Sequence, residues 1–109
     1  MQDILGFSVI KKLVLKEKYL DNVISIFVDS GSFINAKNNA RALLLFRNDF
    51  NVEQLKTIAN AYLSNNQIYQ SGGATSALKI LFEENIKNLD KDLISAMKEK
   101  GLEIDSIKS

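Results

Sequence analysis

Four residue types are missing from this 109-residue chain: cysteine, histidine, proline and tryptophan. Without cysteine there can be no disulfide, thiol nucleophile, iron–sulfur cluster or Cys-rich zinc site. Without histidine the chain lacks the side chain best suited to general acid–base work near neutral pH, and the commonest metal ligand. Glycine is scarce too, at five residues, so with no proline the chain has few enforced breaks. These absences argue against catalysis and leave binding as the expected mode of action.

Long apolar runs are also lacking. Lys11 and Lys12 interrupt the first one, and Met1-Gln2-Asp3 lacks the positive start of a secretory leader. No window approaches the ~20 apolar residues that span a bilayer. The expectation is a cytoplasmic protein with no membrane partner. Charge is nearly balanced, at 14 Lys plus Arg against 13 Asp plus Glu. That balance argues against strong generic attraction to nucleic acid or anionic lipid. Residues 1–48 are mildly basic, with seven cations against four acids.

What is present is helical patterning. The spacing predicts a helix over 52–63, capped by Asn51, with Gln54 placed to reach back to the cap. A second is expected over 74–88, with Ala77, Leu78, Leu81, Phe82, Ile86 and Leu89 as its stripe. A third is expected over 91–100, with Asp90 as cap and a Leu89–Ile94 staple. Gly101 should end it and let Leu102 fold back on Met97. Residues 40–47 are helical in composition, starting near Ser32 or Asn35. Residues 4–15 and 19–29 are apolar almost all round. The β-branched run from Val23 to Val28 also suits a buried strand.

Ala42 to Phe46 and Ala77 to Phe82 resemble each other, their phenylalanines 36 positions apart. Leu20 to Val23 and Leu55 to Ile58 share apolar spacing at an offset of 35. Together these suggest three antiparallel helical hairpins, at 4–29, 36–63 and 74–100. A short solenoid-like array of such units would have each unit cover its neighbour's inner face. The fold expectation is therefore all-α, about six helices in one domain over 1–102, with a frayed tail at 103–109. The alternative is α+β with 23–28 as a strand.

One stretch stands out for its lack of charge. Thr57 to Leu78 holds 22 consecutive uncharged residues in a chain that is 25% charged. Its centre, Ser64 to Gly73, is made of amides, hydroxyls and a tyrosine. Protein-binding surfaces are depleted in Lys and Glu and enriched in Tyr, so Asn65, Asn66, Gln67, Tyr69 and Gln70 are candidate partner contacts. The competing reading is an internally hydrogen-bonded connection turning at Gly72-Gly73.

Other constellations are weaker. Ser71 to Ser76 before a helix, with Lys79 one turn in, has a phosphate cradle's position but not its motif. The turn Asp29-Ser30-Gly31-Ser32 reads better as a helix stop. Glu83-Glu84 and Asp90-Asp92 are too poor in spacing to hold magnesium. A helix-turn-helix using Gln67, Tyr69 and Gln70 would be interrupted by Gly72-Gly73 and has no cation for phosphates. Lys37, Arg41 and Arg47 form a possible phosphate-contacting face, near Lys11, Lys12, Lys16 and Lys18. The residues thus point first to a non-catalytic protein–protein interaction protein: an adaptor, regulator or inhibitor of immunity type, without cofactor or metal. A nucleic-acid-binding regulator using the basic N-terminal half is the alternative.

Overall fold

The computed structural model describes residues 16–104. The helix expected over 4–15, the basic residues Lys11 and Lys12, and positions 105–109 of the tail lie outside the described residues. Within them the chain is all-helical. Helix α1 covers 16–28, α2 Phe33–Leu44, α3 Val52–Ser64, α4 Asn66–Tyr69, α5 Gly72–Glu84 and α6 Lys91–Lys100. Residues 23–28 complete α1, and the strand alternative is thereby overturned. Leu20, Ile24 and Phe27 are buried at steps of four and three, whereas Ile26 is 60% exposed. A helix puts these three on one stripe, and a strand would have split them between two faces.

The caps account for the helix boundaries. Ser32 starts α2 by accepting a hydrogen bond from the Asn35 amide at 3.1 Å. Asn51 and Gln54 form the expected reciprocal pair, with bonds of 2.8 and 2.9 Å. Helix α5 begins at Gly72, two residues before its expected start. Ser71 rather than the glycine pair supplies the cap, its hydroxyl accepting from the Ala74 amide at 3.2 Å. The run expected to continue to Asn88 is broken at Asn85. Its side-chain amide donates to the carbonyls of Leu81 (2.9 Å) and Arg47 (2.8 Å), and Ile86–Asn88 follows as a single 3-10 turn. Asp90 holds the cap position of α6 without a side-chain bond. At its far end Gly101 adopts φ 116°, a left-handed conformation that disfavours any Cβ. The Leu102 amide then donates to the Met97 carbonyl at 2.9 Å, and both side chains are buried. Ile104, inside the segment expected to fray, is buried as well.

Helices α1, α3 and α6 form one layer and run parallel. Lys16 near the start of α1 reaches Asp49, just ahead of α3, and Asp21 accepts from Gln54. At the other end Asn65, which closes α3, donates to Val28 and Ser30, which close α1. Lys100 of α6 reaches Leu63 of α3 in the same way. Helices α2 and α5 form the second layer, also mutually parallel. The Ser71 hydroxyl donates to the Phe33 carbonyl at their starts, and Arg47 meets Glu84 beyond the end of α2. The layers run in opposite directions, since Tyr19 near the start of α1 packs edge-on against Phe46 after the end of α2 (5.5 Å).

Among helices α2 to α6, the most extensive backbone contact is between α2 and α5 rather than between consecutive helices. Their buried faces are rich in small residues, Ala36 and Ala40 on one and Ala74 and Ala77 on the other. Gly73 lies under the Lys37 stem, where an added Cβ would fall 2.6 Å from Lys37 Cγ. A single buried cluster runs from Leu20 to Ile104 through both layers. Among the described residues, every side-chain hydrogen bond reaching beyond 13 positions joins residues 33 to 38 apart. That span lies close to the 35- and 36-residue offsets between the apolar blocks.

Candidate functional site

The uncharged stretch becomes the end of α3, the single turn α4 and the start of α5, and its side chains divide into two sets. One set builds scaffold. Asn65 closes α3 and opens α4: its oxygen accepts from the Gln67 amide at 2.9 Å, and its nitrogen donates to the carbonyls of Val28 (3.0 Å) and Ser30 (3.1 Å). Ile68 is fully buried. Ser71 holds Phe33 on one side and caps α5 on the other. The other set faces outward: Asn66, Tyr69 and Gln70 are exposed and Gln67 is half-buried. Of the five residues predicted as partner contacts, Asn65 is thus engaged in holding the connection together. The other four share one short surface turn.

Tyr69 is the largest of these and is held in place. Its ring stands edge-on to that of Tyr62, with centroids 5.9 Å apart, and Lys100 Nζ lies 4.8 Å above it. The ammonium also donates to the Leu63 carbonyl at 2.9 Å, at the negative end of α3. Tyr62, Tyr69, Gln70, Thr75, Lys100 and Gly101 line an open groove of about 440 Å³. Burial, and secondarily the neighbouring Tyr69, raises the Tyr62 phenol above its ordinary value of 10.0, so it stays neutral at physiological pH.

The basic candidates are placed differently. Lys37 and Arg41 lie one turn apart on α2 as predicted, but the Lys37 stem is packed over Gly73. Arg47 sits in the turn after α2, paired with Glu84 at 2.9 Å and donating to the Leu44 carbonyl at 3.3 Å. The phosphate-cradle position at Ser71 is occupied by the serine's own capping bond. The helix-turn-helix reading meets a second helix of four residues, Asn66–Tyr69, too short to lie along a groove. Among the described residues no group of three or more acidic side chains is placed to hold a metal ion, and no helix is long and apolar enough to cross a membrane.

Sequence reasoning missed four members of this groove, Tyr62, Thr75, Lys100 and Gly101, and the first and third carry its chemistry. Tyr62 falls in the apolar stripe of α3, where its ring looks like ordinary core. Lys100 lies 38 positions further on, in a charged helix end that gives no local hint of its position. The one signal pointing to it is the repeat offset, which brings the ends of α3 and α6 together. Compared with known protein families, with characterised proteins and with solved structures, the chain matches none.

Proposed function

We propose that this protein acts without catalysis by occupying a partner protein's surface, as a small cytoplasmic adaptor, regulator or immunity-type inhibitor. The contact is made by the outward turn of Asn66, Gln67, Tyr69 and Gln70. One observation carries this reading: an uncharged connection whose inward side chains do all the anchoring, leaving a tyrosine and three amides outward on a braced backbone. A tyrosine already fixed against Tyr62 and Lys100 has little freedom left to lose on binding, which favours its use as an anchor. Neutral amides beside it add hydrogen bonds without the desolvation cost of charge.

The test is comparative capture. The wild-type chain and the double variant Tyr69→Ala with Gln70→Ala serve as bait in extract of the native host, with melting temperatures recorded for both. The reading expects a protein that binds wild type, is lost with the double variant and is retained by Lys37→Ala with Arg41→Ala. Its binding should change little as salt rises. Capture of nucleic acid, lost with Lys37 and Arg41 and falling steeply with salt, would replace it with the phosphate-binding reading.

A further inference from the structure

We infer that the groove between Tyr62, Tyr69 and Lys100 is a carboxylate-binding notch, which receives an Asp or Glu side chain of the partner protein. The inference rests on the proposed partner-binding role of the adjoining turn and adds the chemistry of what is bound. Two groups in the groove have unused capacity. Tyr62 is 99% buried by its 1% exposure, yet among the described residues nothing exchanges a hydrogen bond with its hydroxyl, which keeps contact with the groove. No side-chain polar atom of the described residues is both buried and unbonded, so this hydroxyl reaches the groove from a buried ring and can donate there to an incoming polar atom. Lys100 is the second group. One of its three N–H donors goes to the Leu63 carbonyl, and among the described residues no carboxylate lies within ion-pair distance of it. It is half-buried, held by a carbonyl and an aromatic face, with two donors unassigned.

These donors match a carboxylate. One oxygen would accept from the Tyr62 hydroxyl and the other from Lys100, with the Tyr69 ring as the apolar wall and the Gln70 amide at the rim. Charge-assisted bonds of this kind are short and directional. A phosphate of a nucleic acid fits less well. Among the described residues Lys100 is the one cation lining the groove, and the uncharged run of 22 residues carries none. A single negative charge is matched by that set, and a polyanion is not.

The test uses the whole chain and two small probes, N-acetyl-glutamate N-methylamide and the corresponding glutamine derivative, titrated while NMR follows the Tyr62 ring and the Lys100 ε-methylene. One charge-assisted site predicts saturation at roughly 10–100 mM for the glutamate probe. The glutamine probe should show no saturation. Tyr62→Phe should abolish the saturable shift at an unchanged melting temperature, because its hydroxyl holds no part of the scaffold. Lys100→Met should abolish it too. The inference fails if both probes titrate alike, if Tyr62→Phe titrates as wild type, or if Tyr62→Phe lowers the melting temperature. It also fails if a single-stranded oligonucleotide produces the same shifts at far lower concentration. A partner lost with the Tyr69/Gln70 double variant but indifferent to Tyr62→Phe and Lys100→Met would leave the interaction face standing and remove the notch. Saturable glutamate binding with no Tyr69-dependent partner would remove the face and confine the notch to free carboxylates, which overturns the assignment to a partner side chain.

Discussion

The two connections that flank α3 hold the layers together by different chemistry. The one before it, residues 45–51, sends its own side chains outward into ion pairs, Asp49 with Lys16 at 2.7 Å and Arg47 with Glu84 at 2.9 Å. It receives one neutral bond, from Asn85 to the Arg47 carbonyl. The paired side chains are one-third to one-half exposed. The one after it, residues 65–71, uses neutral side chains bonded to backbone carbonyls in half-buried positions. Exposed ion pairs contribute little and are screened by salt, whereas a half-buried amide bonded to two carbonyls is costly to remove. The uncharged connection is therefore the firmer of the two. That firmness leaves its outward residues available for the recognition role proposed for them.

This contrast is open to direct attack. Asn65→Ala removes a helix cap and leaves two carbonyls without their donor, so it should lower unfolding free energy by about 2–3 kcal/mol in denaturant titration. Ser71→Ala removes one cap and one interlayer bond and should cost about 1–2 kcal/mol. Tyr69→Ala with Gln70→Ala loses the ring contacts with Tyr62 and Lys100, about 1 kcal/mol, which is small beside its expected effect on partner capture. Arg47→Ala and Asp49→Ala should each cost no more than about 0.5 kcal/mol, and that difference should vanish at about 1 M salt. Should Asn65→Ala prove no worse than Arg47→Ala in the same titration, the claim that neutral anchors brace this turn is wrong.

Local signals in the sequence were read well because they depend on neighbours three or four positions away. The Asn51–Gln54 pair, the Ser32 start and the Gly101 stop all appear in the structure. Residues 23–28 are helical despite their β-branched content, because Leu20, Ile24 and Phe27 then form one continuous buried stripe. The errors came from side chains whose partners are distant. Nothing near Asn85 shows that its amide will reach Arg47, 38 positions back, and end α5 there. Gly72-Gly73 looked like a turn because glycine favours one. In the fold, Gly73 is a helical residue placed where α2 comes close enough for the Lys37 stem to lie across it. The candidate site was half legible: composition singles out the uncharged segment, but not which of its amides face inward. That division depends on Val28, Ser30 and Phe33, which belong to the preceding turn of the stack.

The even span of the long-range ties has a consequence for how such a chain can change. Among the described residues each tie links positions 33 to 38 apart, so the ties resemble nearly equally spaced rungs. A tandem copy of one whole period would meet familiar neighbours above and below, and no existing rung would need to move. A copy of half a period would set the wrong layer against each face and break them all. An array built on such rungs accepts growth in whole steps and resists it in fractions.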